Sequence, residues 1–317
     1  MATTTSITTT YAGEHKGKII SAALLSGNTL ANGGLTFRPN VKYQEVVRRL
    51  ETDGIVKNAT CDFTDTSTIT STERLLTPKK LQVNLELCKL DWVNDWDGVK
   101  MGYSAFDNMP KNIQDYIMQY VAAKVAAATE TSIWQGADGD GSFDGFETLL
   151  TTDANLPAAQ EVAGTAVTAA NVVAELGKVA DAIPSALYGS DDLYIYVSQN
   201  VFRAYKRSLG GFQSNGQGAN GYMAQGNNQD INIQWFDGIK LFMANGLSDN
   251  TMIAAEKSNL WFGTGLLSDH SEVRILDMAD LDGSKNFRVI MRYTAGVQYG
   301  VVEDIVTYGI VNAVNPV

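Results

Sequence analysis

The 317-residue sequence predicts an α+β fold, and three patterns carry that expectation. One stretch, 110–136, has apolar residues spaced for a single long helix. Residues 81–88 and 287–293 alternate apolar and polar side chains with period two, as half-buried strands do. Residues 168–205 read as helix, buried strand and helix in succession.

Composition sets the outer bounds. Hydrophobic residues at 44% and charged residues at 19% match ordinary soluble usage, and the length suffices for one large domain or two ordinary ones. A formal charge of -11 argues against a surface coated by nucleic acid, because phosphate binding needs clustered Lys and Arg. Cys61 and Cys88 have neither CxxC nor zinc-ligand spacing; two free thiols are expected, with a disulfide only if two strands place them opposite each other. No apolar run approaches the length of a membrane span. Residues 16–25 hold too short an apolar stretch behind a polar leader to read as a signal peptide, so a cytoplasmic origin is expected.

In chain order, residues 1–36 are Thr-rich with Gly and Asn punctuation. They form an arm that cannot offset its ordering entropy unless another chain supplies surface. Residues 41–50 suit a short amphipathic helix, with Val46, Val47 and Leu50 on one side and Arg48 and Arg49 on the other. Residues 59–92 read as a long hairpin. In it, Leu81, Val83, Leu85 and Leu87 alternate with Gln82, Asn84, Glu86 and Cys88, and the tip is expected between about Thr70 and Lys80. The long helix follows, begun by Pro110 and stopped by Gly136. Ile113, Ile117, Tyr120, Val121, Val125 and Ala128 share one face, while Lys111, Asp115, Lys124 and Glu130 lie off it. At roughly 40 Å it is long for a globular helix, yet it has too few heptads for a coiled coil, so it reads as a spine on which sheets pack.

After the spine, D-x-S-x-D-G from Asp140 matches the first half of an EF-hand loop, but position twelve is Thr151 where a bidentate Glu is needed. A Gly/Asp turn is the better reading. Thr168 is placed to cap a helix carrying Val172, Val173, Leu176, Val179, Ala180 and Ile183. A buried strand at 193–197 and a helix with Val201, Phe202 and Tyr205 come next. Residues 210–229 form a Gly-, Asn- and Gln-rich loop of a length that usually marks function or mobility. Asp237-Gly238 marks a tight hairpin between strands at 231–235 and 239–243. Further strands are expected near 252–255, 260–262, 273–276, 287–293, 297–302 and 305–311.

Chemistry is sparse. Of two histidines, His15 lies in the arm and His270 sits between acidic neighbours in SDHSE. No nucleophile elbow, zinc-protease motif or dinucleotide fingerprint occurs, and Gly263-Thr264-Gly265 is a turn fragment. Asp191-Asp192 and Glu303-Asp304 adjoin in sequence, so on a strand they would face opposite ways. No enzyme activity, cofactor or metal is expected.

The order of parts, with FDGFETLL (143–150), DDLYIYVSQNVFRAYKR (191–207) and FRVIMRYTAGVQYGVVEDIVTYG (287–309), resembles the major capsid protein of tailed bacteriophages, with the Hong Kong 97 type of fold. The likeness covers most of the chain from about residue 37. It implies an N-terminal arm (1–36), a short helix leading into the hairpin (37–58), an extended E-loop (59–92), a P-domain with the spine helix (93–160), an A-domain (161–255) and closing strands (256–317). It further implies a structural protein that assembles with itself, as hexamers and pentamers, into an icosahedral head. That head would enclose double-stranded DNA without sequence-specific binding. Portal, scaffolding and decoration or tail-connector proteins would be its other partners, no membrane is involved, and the place is the virion, after synthesis in the bacterial cytoplasm. Assembly surfaces implied by the resemblance are Thr68, Thr70, Arg74, Lys79 and Lys80 about the hairpin, and Gly210, Gly211, Gly216 and Gly218 in a loop aimed at the capsomer axis. Nothing marks a cross-linking Lys and Asn pair, and Lys79 and Lys80 are not assigned that role. The alternatives are an encapsulin-type bacterial compartment shell and a secreted metal-dependent hydrolase or carbohydrate binder using the 138–144 turn.

Overall fold

A computed structural model describes residues 27–52, 54–59, 61, 68–88, 111–208, 234–265 and 273–313. His15, His270 and the 210–229 loop with Gly210, Gly211, Gly216 and Gly218 lie outside these residues. The chain begins with α1 (Asn28–Ala31), β1 (Thr36–Arg38), β2 (Glu45–Thr52), β3 (Ile69–Leu76) and β4 (Lys79–Cys88). Next come α2 (Lys111–Gln135), α3 (Phe146–Thr152), β5 (Glu161–Val162), α4 (Val172–Asp181), β6 (Leu193–Val197) and α5 (Gln199–Ser208). It continues through β7 (Gln234–Phe236), β8 (Ile239–Met243), β9 (Met252–Glu256), β10 (Leu260–Gly263) and β11 (Val273–Asp277) to α6 (Ala279–Asp282), β12 (Asn286–Tyr299) and β13 (Val306–Tyr308).

Strand β12 is the trunk of a five-stranded sheet. It pairs antiparallel with β4 from Asn286↔Cys88 to Ala295↔Lys79, with β11 from Phe287↔Asp277 to Met291↔Val273, and with β10 from Gly296↔Gly263 to Tyr299↔Leu260. Its alternation sorts the side chains: Phe287, Val289, Met291, Tyr293 and Ala295 are buried, whereas Arg288 and Arg292 are exposed. Helix α2 lies on the buried face, where Ile117 and Val121 pack with Phe287 and Val289, flanked by Val83, Leu85 and Ile275.

The second sheet has six strands in the order β5-β13-β9-β6-β8-β7. Leu193, Ile195 and Val197 of β6, with Met252 and Ala254 of β9, face α4 and α5. The alternate residues Tyr196, Ile253 and Ala255 face the other way and join the core that contains Trp134 and Phe146. Trp134, near the end of α2, sits 5.2 Å from the Tyr196 ring and 5.4 Å from Phe146. One helix therefore serves both sheets, the first through its middle and the second through its end. The β7–β8 turn is the expected one, with Asp237 (φ 48°) and Gly238 (φ 78°) both left-handed.

Several expectations need correction. Residues 45–52 form a strand, not part of a helix, and β2 pairs along its whole length with β3. The hairpin is thus β2–β3, not β3–β4, and 70–80 is a crossing point rather than a tip. Leu76 is fully buried against Gly263, and Pro78 runs so close to β12 that a Cβ on Gly296 would lie 2.9 Å from its Cα. That close crossing sends β4 off to pair with β12. On the spine, Tyr120 and Ala128 are exposed, while Glu130, expected off the core face, is buried with Ile133 and Trp134. Val173 is half out of the α4 core, and Thr168 supports α4 through its carbonyl, which accepts the Val172 N–H, rather than through its hydroxyl. Glu303 and Asp304 sit on a 3-10 turn, not a strand. Cys61 and Cys88 are free thiols. No helix among the described residues is long and apolar enough to cross a membrane.

Replacing Ile117 or Val121 with Asp buries a charge between α2 and β12. Each substitution is expected to cost several kcal/mol and to abolish folded protein, read by circular dichroism and solubility; cooperative unfolding at wild-type strength would show that the core lies elsewhere.

Candidate assembly surfaces

The β2–β3 ribbon is a sheet of two strands, registered from Glu45↔Leu76 to Thr52↔Ile69. Alternation gives it two unlike faces. On the outer one the pairs Val46↔Leu75, Arg48↔Glu73, Leu50↔Ser71 and Thr52↔Ile69 are all exposed, with Leu50 at 72% and Ile69 at 69% of full exposure. An Arg48–Glu73 ion pair at 2.9 Å crosses the strands between these apolar residues. The apolar character continues past β2, where Val56 is 94% exposed. Two strands alone are marginal in water, so something must hold this ribbon in place.

The inner face supplies it. The Arg74 guanidinium lies 2.5 Å from Asp153 Oδ2 and 4.5 Å above the centre of the Tyr299 ring. The Tyr299 hydroxyl donates to the same Asp153 oxygen at 2.8 Å. Burial alone would raise the Asp153 carboxyl, but hydrogen bonds from the Asn155 N–H, Tyr299 and Arg74, with the Arg74 charge, hold it below the usual carboxylate range. Burial, aided by Asp153, pushes the Tyr299 phenol well up. Nearer the free end, Arg49 reaches Glu303 at 2.6 Å. A cleft of about 310 Å³ separates ribbon from body, lined by Val47, Arg49 and Arg74 on one side and Asn259, Trp261 and Asp304 on the other. Long charged arms thus tether the ribbon across an open cleft.

The residues implied as assembly contacts divide accordingly. Thr68 and Thr70 are exposed on the ribbon, and Lys80 is exposed at the start of β4. Arg74 is committed to Asp153. Lys79 binds Asp138 at 2.7 Å and also the Gly139 carbonyl, which closes it onto the 138–144 turn. That turn is tied by the Asp138 N–H donating to Asp144 Oδ1 at 2.7 Å. Among the described residues no group of three His, Cys, Asp or Glu side chains is arranged to hold a metal. Sequence reading placed Val46 and Leu50 on the apolar side of a helix and passed over Ile69 and Leu75, so it missed the outer stripe itself. The signal was present as the alternation Val46, Arg48, Leu50, but Val47 beside Val46 made a helical spacing look as good.

No protein-family model matches the sequence, and no curated protein matches it. Solved structures do match. The capsid of a native GTA particle is 15% identical over 93% of this chain and 94% of that one, with a TM-score of 0.64. The capsid of Myoviridae phage XM1 is 14% identical over 93% and 96% of the two chains, with a TM-score of 0.57. A structure of Mycobacterium phage Ogopogo is 12% identical over 92% and 94%, with a TM-score of 0.55. The chain has the α+β fold of phage capsid subunits. That is the fold class the sequence resemblance implied.

Arg74→Ala leaves a nearly buried Asp153 without its cation and is expected to cost about 2 kcal/mol at neutral pH, measured by urea unfolding. The Asp153 carboxyl is held low in the fold, so this stabilisation is present above the ordinary carboxylate pKa and is lost as pH falls through the lowered value. The gap between wild type and variant should close in strong acid; a gap independent of pH would mean that the pair does not hold the ribbon.

Proposed function

We propose that this chain is the major capsid protein of a tailed double-stranded-DNA phage, a structural subunit that assembles with itself into an icosahedral shell. One observation carries the reading: a protein with a phage-capsid fold projects a ribbon whose outer face is apolar and exposed. A monomer gains nothing from that face, whereas a neighbouring subunit could bury it. The E-loop role goes to the ribbon, residues 45–76, rather than to 59–92. The P-domain role goes to α2 with the β12 sheet, and the A-domain role to the six-stranded sheet with α4 and α5. Because β13 belongs to that second sheet, the closing segment is shared between the two units. Thr68, Thr70 and Lys80 are proposed as contact residues, and Arg74 and Lys79 as residues that set the ribbon's position.

A charge of -11 suits a wall that surrounds DNA without gripping it, since tight phosphate contacts would hinder release. The proposed partners are other copies in hexamers and pentamers, with portal, scaffolding and decoration or tail-connector proteins beyond them, in a virion made in a bacterial cell. An encapsulin-type shell would share the fold but hold protein cargo in place of DNA.

Leu50→Asp combined with Ile69→Asp should leave a folded subunit that assembles poorly. Each apolar side chain buried at a contact contributes roughly 1.5–3 kcal/mol, so the concentration needed for assembly should rise at least about tenfold in sedimentation velocity. Unchanged assembly by the folded double variant would remove the ribbon from the interface.

A further inference from the structure

Strand pairing gathers cations on the face of the five-stranded sheet that points away from α2. Arg292 of β12 lies two residues from Ile290, which pairs with Arg274 of β11, and two from Thr294, which pairs with Lys80 of β4. Because β4 and β11 flank β12 on opposite sides, Lys80, Arg292 and Arg274 form one diagonal row across three strands. Diagonal neighbours on a sheet stand about 7–8 Å apart. All three side chains are exposed.

The row is not balanced on its own face. Alternation turns a single carboxylate, Glu86, to this side of β4, β11 and β12, and it is already engaged. It accepts from Arg288 Nε at 3.1 Å and from the Asn286 side-chain amide at 2.7 Å. Lys80 and Arg292 form no ion pair among the described residues. With Gln82 and Thr294 they line a cavity of about 280 Å³. Thr294 Oγ1 accepts the Gly265 N–H at 2.6 Å, which leaves its hydroxyl proton for a further acceptor. An ammonium, a guanidinium, an amide and a hydroxyl thus converge with no carboxylate among them. That is a setting for an oxyanion.

Two features select a protein carboxylate over a phosphate backbone. Leu276, 41% exposed, and the half-buried Ile290 lie on the same face between the arginines. Apolar and charged groups mixed in this way suit a protein contact, whereas phosphates call for cations and polar donors alone. The row is also short. The chain has 24 Lys and Arg against 35 Asp and Glu, so a long polyanion would run off the row onto acidic surface. Another copy of the chain brings carboxylates over a limited patch.

We infer that this face is a second assembly surface, separate from the ribbon, where Lys80, Arg292 and Arg274 receive carboxylates of another copy of the chain. It rests on the reading of the chain as a self-assembling subunit. Two copies at a charge of -11 repel each other overall, so a local meeting of opposite charge selects where they touch. A closed shell requires each copy to meet neighbours on more than one surface.

Assembly of the full-length protein, followed by sedimentation velocity, tests it with changes of opposite sign. Lys80→Glu combined with Arg292→Glu should raise the concentration needed for assembly about tenfold at low salt, and the gap from wild type should narrow as salt screens the contact. Glu86→Gln removes the competing carboxylate from the face, so it should lower that concentration about twofold to threefold. Should the double variant fold poorly, Glu86→Gln alone decides: a gain supports the contact, and no change overturns it. Wild-type assembly matched by both variants would remove this contact and leave the shell reading standing, while a wild type that stays at the mass of one chain would overturn both. A short fluorescent DNA duplex supplies the last arm. Anisotropy showing duplex binding that the double variant abolishes, with assembly unchanged, would make the row a phosphate site and overturn the assignment to carboxylates.

Discussion

The packing of the spine helix on β12 is the constraint from which the rest of the structure follows. A strand of fourteen residues that pairs with β4, β10 and β11 presents a continuous apolar face, and a sheet with one such face must cover it. Helix α2 does so through Ile117 and Val121. Its length then carries Trp134 beyond the first sheet and into the core of the second. The distance between the sheets is thus set by one rigid element.

The ribbon is what this arrangement leaves over. With β4 claimed by β12, β3 can pair only with β2, and two strands cannot shield both of their own faces. The inner face is held by Arg74 and Arg49 across a cleft, contacts that depend on charge and reach rather than on close packing. The outer face has no cover within the chain among the described residues. A rigid body with a tethered ribbon and an uncovered apolar stripe is the arrangement on which the proposed assembly role rests.

Much of the body could be read from the sequence. The alternation in 81–88 and 287–293, the Asp237-Gly238 turn and the helix–strand–helix at 168–205 are local signals backed by burial, and local and tertiary demands agree there. The ribbon could not be read in the same way. Glu45–Thr52 has little buried surface, so no burial pattern separates strand from helix, and only pairing with β3 decides. The polar run Ile69–Leu76 was legible as extended chain, but its partner was not, because the separation from β4 depends on Pro78 crossing Gly296. On the spine, a single stripe was expected and two were found. Ile117 and Val121 face β12, while Glu130, Ile133 and Trp134 face α1, α3 and β6. A helix gripped by different neighbours along its length needs no common face. Glu130 escaped notice because a charged residue counts as surface until Thr29, one hundred residues earlier, is known to meet it.

The central proposal is that this chain assembles with copies of itself into a shell. Mass measurement of particles formed by the purified protein, by charge-detection mass spectrometry, tests that most directly. The account predicts closed shells, or capsomers on the way to them, with masses at large multiples of the 34.3 kDa chain. A species that stays at the mass of one chain across concentration, salt and pH would contradict it.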